Sequence, residues 1–101
     1  MESNTKQTIE AAVFQRLLDH LRTHTEVQNI DLMILADFCR NCLAKWYVAE
    51  AQDHGVEMTY PQAQEIVYGM PYDQWKKNHQ REATPEQLKA YEERQQRKQS
   101  P

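Results

Sequence analysis

Hydrophobic positions along this chain recur with helical spacing, and no stretch alternates as a strand would. Val13, Phe14, Leu17, Leu18 and Leu21 form one apolar face, with Glu10, Gln15, Arg16 and Asp19 mostly on the others. Thr8 is placed to cap this helix, leaving residues 1–7 as a loose polar start. The stretch from Thr23 to Asn29 interrupts the pattern. Thr25 with Gln28 has the form of a capping box, and Asn29 is a competing cap. From Ile30 to His54 the pattern predicts one long helix, with Gly55 as its left-handed terminator. At the usual rise it would run roughly 35–40 Å, longer than a domain of this size needs.

Within that helix Leu32, Leu35, Ala36, Cys39, Cys42, Leu43 and Trp46 make one stripe, while Met33, Ile34 and Phe38 fall outside it. A helix that is apolar on several sides is buried on several sides. In a short chain this predicts a central helix that is also shared with a second copy, and so a homo-oligomer, as a two-fold dimer.

Shorter elements follow. Thr59, Tyr60 and Pro61 mark a helix start, Ile66, Val67 and Tyr68 ride on that helix, and Gly69 closes it. Pro71 reopens a short helix carrying Tyr72 and Trp75, with Asp73 in its first turn as an acid suited to the helix dipole. Thr84, Pro85 and Gln87 supply a cap, an N1 proline and a capping-box glutamine. The last helix has only Leu88, Ala90 and Tyr91 to bury, and from Glu92 the chain is polar. The predicted organisation is therefore a flexible start (1–7), a single all-α domain (8–91) around one long central helix, and a fraying polar tail (92–101).

Composition narrows the class of protein. With 101 residues, 40% hydrophobic and 27% charged, the chain suits one globular domain with a thin core. A net charge of −3 argues against nucleic-acid binding, because phosphate neutralisation needs a basic surplus. The short basic pairs Lys76-Lys77 and Arg97-Lys98 lie among acids and amides. No apolar run approaches the roughly 20 residues of a membrane span. The N-terminus lacks the apolar core of a signal peptide. The chain is expected in the cytoplasm, with its two cysteines reduced and no membrane partner.

Those cysteines carry the clearest chemical motif, Cys39-Arg40-Asn41-Cys42. A reactive cysteine normally sits at a helix N-terminus, and Cys39 falls about nine residues inside the predicted long helix, which argues against redox work. For zinc, Cys39 and Cys42 could supply two thiolates, with His24 or His79 as further ligands. His20 and His24 share a helix face, but Leu21 after His20 breaks the zinc-protease pattern. Against both stands packing, since cysteine is commonly a small buried hydrophobe and both lie on the core stripe. Trp46, Tyr47, Tyr68, Tyr72 and Trp75 read as core aromatics, and Asp37 with Arg40 as a solvated ion pair. No phosphate loop, nucleophile elbow or carboxylate pair is present.

Two runs are idiosyncratic. The first is Asn29-Ile30-Asp31-Leu32-Met33 with Phe38-Cys39-Arg40-Asn41-Cys42-Leu43-Ala44-Lys45-Trp46-Tyr47. The second is Ile66-Val67-Tyr68-Gly69-Met70-Pro71-Tyr72-Asp73-Gln74-Trp75-Lys76, followed by His79-Gln80 and Ala83-Thr84-Pro85-Glu86-Gln87. Over roughly residues 8–91 the chain resembles the domain of unknown function 1244 family of short bacterial proteins. The resemblance implies a compact all-helical fold in a bacterial cytoplasm and brings no activity with it. It places Cys42, Tyr68, Pro71, Trp75 and His79 within the family's motifs, as a packing junction or a site.

Two expectations follow. The first is a cytosolic, non-catalytic structural or interaction protein acting as a homo-oligomer. The second is a metal-binding or thiol-dependent protein using Cys39 and Cys42 with His79 or His24, with zinc or another divalent metal as the cofactor. The cluster Cys42, Tyr68, Trp75 and His79 is the place to look for either packing or function.

Overall fold

Helix ends in this protein sit mostly where capping residues put them. The structure, a computed structural model, describes residues 1–99. Among these residues there are six helices and no strand. The first, α1 (Ser3–Arg22), begins earlier than expected. Thr8 lies inside it, and its hydroxyl donates to the Asn4 carbonyl one turn back. The fourth, α4 (Tyr60–Tyr68), follows its cap as read: Thr59 and Gln62 form the capping box, and Gly69 closes the helix at φ 75°. A Cβ on Gly69 would stand 2.9 Å from Arg22 Nε, so the position needs glycine for space as well as for conformation. The fifth, α5 (Tyr72–His79), carries Asp73 in its first turn. The sixth, α6 (Pro85–Gln99), opens on the Thr84–Gln87 box. It continues as helix through the polar residues expected to fray from Glu92; residues 100–101 of that tail lie outside the described residues.

The exception reorganises the molecule. The single long helix expected over 30–54 is two helices, α2 (Asn29–Ala36) and α3 (Arg40–Asp53). Between them Asp37 takes the left-handed conformation, φ 60° and ψ 30°. Aspartate is among the few non-glycine residues that tolerate it. The Asp37 carboxylate is held by Lys98 of α6 at 3.1 Å, not by Arg40. The break explains why Met33, Ile34 and Phe38 fit no single stripe. The apolar pattern changes phase at Asp37, because α2 packs chiefly on α6 while α3 packs on α4. Apolarity on many sides was the sum of two faces aimed at different neighbours. The cap of α2 is neither Thr25 nor Asn29 but Gln28, in a capping box with Asp31.

The core lies where α1, α3, α4 and α5 meet: Leu18, Leu21, Leu43, Ala44, Ala63, Val67, Tyr68 and Trp75. Trp46, expected inside, is 56% exposed. Only the last turns of α1 reach this core, through Leu18 and Leu21; residues 1–13 are exposed throughout.

Two arginines join these pieces by the same device. Arg22, at the end of α1, donates through Nε to the Val67 carbonyl at 3.3 Å and through Nη2 to that of Ile66. These are C-terminal carbonyls of α4, unpaired within their own helix and at the negative end of its dipole. Arg40, in the first turn of α3, gathers the end of α1 and the loop that follows it. Its Nη1 donates to Val27 O at 2.8 Å and Asn29 Oδ1 at 3.1 Å, its Nη2 to His24 O at 3.1 Å and Leu21 O at 3.4 Å. Its guanidinium carbon stands 5.0 Å from the Trp75 ring centroid. Only 1% of the residue is exposed.

Arg40→Ala would strand the Val27 carbonyl, remove a partner from Asn29 Oδ1 and open a void beside Trp75. A loss of about 3 kcal/mol in urea unfolding is expected, with Arg40→Lys recovering less than about half, because an ammonium cannot reproduce the planar fork. Equal stability of the lysine variant and the parent would show that charge alone suffices.

Candidate functional site at the start of helix α3

The break at Asp37 places Cys39 at the N-cap of α3, in extended conformation (φ −143°, ψ −178°), and Cys42 at its third residue. The expectation that Cys39 lies deep inside a helix is therefore overturned. An N-cap side chain faces the unpaired N–H groups of the first turn. The Cys39 side chain makes no capping hydrogen bond to them, but the nearby N–H groups of Asn41 and Cys42 favour its charged form. Burial pushes its thiol pKa up, and these N–H groups pull against that rise. The two sulfurs stand 4.0 Å apart, Cys39 buried and Cys42 half-buried, and both are free thiols.

Behind the cysteines lies a polar network that sequence inspection missed. Tyr68 Oη donates to Asn41 Oδ1 at 2.8 Å and accepts from Asn29 Nδ2 at 3.0 Å. Gln64 Nε2 also donates to Asn41 Oδ1, at 3.2 Å. Asn29 Oδ1 accepts from Arg40 Nη1. Gln28 bridges to the far end of the chain, donating to His79 O at 3.0 Å and accepting from Arg81 N at 2.8 Å. Asp31 extends the same seam, accepting from Gln87 Nε2 at 2.8 Å. Arg40 was read as half of a solvated pair with Asp37; the burial of its guanidinium could not be foreseen from an i, i+3 spacing. The spacing Asn29, Arg40, Asn41 offers no periodic signal either, since the three meet only after the chain folds.

The predicted cluster is partly assembled. Tyr68, Trp75 and His79 form a ladder of rings, with centroids 4.9 Å apart for Tyr68–Trp75 and 5.7 Å for Trp75–His79. Cys42 pairs with Cys39 instead. His24 stacks on His20 at 4.1 Å and its Nδ1 lies 2.7 Å from the His20 carbonyl. Among the described residues no group of three or more histidine, cysteine, aspartate or glutamate side chains could hold a metal ion. Cys39 and Cys42 thus have no third ligand in His24 or His79, and the donor set does not fit zinc, which takes four in structural sites.

Two clefts flank this region. A polar one of about 270 Å³ opens beside Gln28, Asn29, Asn41, Tyr72, Trp75 and Arg81. A larger, apolar groove of about 480 Å³ lies between Phe14 of α1 and Leu43, Trp46, Tyr47 and Ala51 of α3, closed below by Val56 and Met58.

Such a domain, all-helical and built on a capped helix opening with two cysteines, has a family. Residues 27–93 match the model described as "Protein of unknown function (DUF1244)", and the chain belongs to that family. The match runs from the end of the loop before α2 to the middle of α6; all of α1 precedes it. No curated protein matches the chain. No helix among the described residues is long and apolar enough to cross a membrane.

Tyr68→Phe removes one hydroxyl and leaves Asn29 and Asn41 each short of a partner; a cost of about 1–2 kcal/mol is expected in chemical unfolding. Burial, more than any other influence, also holds the Tyr68 phenol well above its ordinary value of 10.0. A raised folded-state pKa means the stability it brings is complete below about pH 10 and declines as pH rises beyond that. Ultraviolet titration checks this: one of the five tyrosines in the chain should resist ionisation until the fold opens. Five phenols titrating together in the folded protein would contradict it.

Proposed function

We propose that this protein is a non-catalytic structural or interaction protein of the bacterial cytoplasm that works as a homodimer, joined through α1 and the apolar groove at its base. One observation carries the reading: the chain exposes more surface than a self-contained domain of its mass. Its accessible area is 7529 Å² at 12.0 kDa. A compact monomer of that mass exposes roughly 6,000 Å². Its radius of gyration is 15.7 Å, against about 13 Å for a compact chain of this length. The excess of roughly 1,500 Å² is more than the ~800 Å² per partner that a standard interface covers.

The excess is apolar where α1 leaves the core. Ile9, Val13 and Leu17 recur every fourth residue and are 47%, 59% and 38% exposed. They lie on the same helix as Phe14, which lines the groove beside the 56%-exposed Trp46. A helix whose first turns touch nothing is marginal in water, because nucleation is costly and propagation alone barely repays it. A second copy answers both needs at once. Two α1 helices related by a two-fold axis lay their stripes against each other, and each reaches the other's groove. An isologous contact of this kind needs only one self-complementary patch.

Sedimentation equilibrium at micromolar concentration should give about 24 kDa, twice the chain mass, and the assembly should persist in high salt because its contacts are apolar. Ile9→Asp with Val13→Asp, both at exposed positions, should yield a folded 12.0 kDa species. A monomeric parent protein would overturn the reading.

A further inference from the structure

We propose that Cys39 and Cys42 form a redox-active dithiol that exchanges with low-molecular-weight disulfides of the glutathione type and closes into an intramolecular disulfide. This goes beyond the dimer reading and rests on different residues.

The register comes first. The N-cap and the third residue of a helix lie on the same side of its opening turn, so both thiols reach the same space. They stand 4.0 Å apart, and a disulfide needs about 2.05 Å. The Cys39 backbone is extended and its carbonyl accepts the first bonds of α3, so rotation of the two side chains supplies that approach. Neither sulfur is committed elsewhere: both are free thiols, and their closest sulfur partner is each other.

The two thiols have different tasks because they have different surroundings. Cys42 is half-buried and is the one that a small disulfide can reach. Cys39 is buried, out of reach of a small disulfide, and its sulfur stands 4.0 Å from the Cys42 sulfur it must attack. The Arg40 guanidinium adds a favourable field toward a Cys39 thiolate. Burial shields this thiol from the oxidant, and the nearby N–H groups of α3 lessen the cost of forming its thiolate at the moment of resolution.

The step balances as an exchange. The Cys42 thiolate attacks one sulfur of the small disulfide, forming a Cys42 mixed disulfide and expelling one small thiolate. The Cys39 thiolate then attacks the Cys42 sulfur, forming the Cys39–Cys42 bond and expelling the second small thiolate. The two protons lost by the cysteines end on the two small thiols. The protein gives up two electrons, and the small disulfide takes them.

Intact-mass spectrometry of the full chain in mixtures of reduced and oxidised glutathione tests the proposal. The expected product is the chain lighter by two hydrogens, with no glutathione attached. Cys39→Ser should trap the intermediate, raising the glutathione adduct on Cys42 about tenfold over the parent, since the resolving thiol is gone. Cys42→Ser should take up little, because the remaining thiol is buried. The parent chain is decisive even if a variant misfolds. Two free thiols throughout, a persisting adduct on the parent chain, or a disulfide that appears only at doubled mass would each overturn the proposal. A doubled mass that survives reduction reports the dimer alone, so the two readings fail separately.

Discussion

The guanidinium of Arg40 joins segments that the sequence keeps apart. It is a buried charge whose hydrogen-bond partners are neutral oxygens: three backbone carbonyls and the side-chain oxygen of Asn29. Such an arrangement is stable because the Val27 carbonyl has no backbone donor, the Leu21 and His24 carbonyls use their second lone pairs beside the local bonds from His24 and Val27 N–H, and the C-terminus of α1 offers negative potential. Burial presses the guanidinium pKa down, but four oxygens accept from Nη1 and Nη2 and hold the charged form, while Nε has no partner. The Trp75 face completes the enclosure. The loop between α1 and α2, the start of α3 and the flank of α5 are thereby fixed to one another.

That fixation dictates the break at Asp37. If α2 and α3 were continuous, the residues before Arg40 could not turn so that α2 packs on α6 while α3 packs on α4. Aspartate in the left-handed region, tied to Lys98, absorbs the turn. The same turn exposes the opening N–H groups of α3 and puts Cys39 at the N-cap position. The cysteine geometry is therefore a consequence of how an arginine one residue later is buried. On the other side of the molecule, the anchoring of only the last turns of α1 leaves its first turns and the Trp46 groove uncovered. The uncovered face of α1 and the two cysteines thus lie on separate parts of the chain.

Polar contacts, rather than apolar area, give the small domain its single arrangement. Gln28 caps α2 while holding the chain at 79–81, and Asp31 receives both the Gln28 N–H and the side chain of Gln87. Each residue closes a local turn and a distant contact at once. The core of large apolar side chains is thin, and these bridges set which helix lies beside which.

Local chemistry was legible from the sequence. The helical class followed from spacing, and the ends at Thr59, Gly69, Gly55 and Thr84 followed from capping residues and glycine, because those interactions span four residues or fewer. The C-x-x-C motif was visible for the same reason, because its members are neighbours on one turn; Tyr68, Trp75 and His79 were grouped with Cys42 only through the family resemblance, and their ring ladder is a tertiary result. The tertiary structure alone decided the rest. An aspartate in place of glycine or proline gave no warning of the break, so Cys39 was assigned to a helix interior. The burial of Arg40 depends on carbonyls up to 19 residues earlier in the chain. The exposure of Trp46 depends on where α1 leaves the core. Sequence periodicity records which residues prefer to leave water; which neighbour covers them is settled only when the whole chain closes.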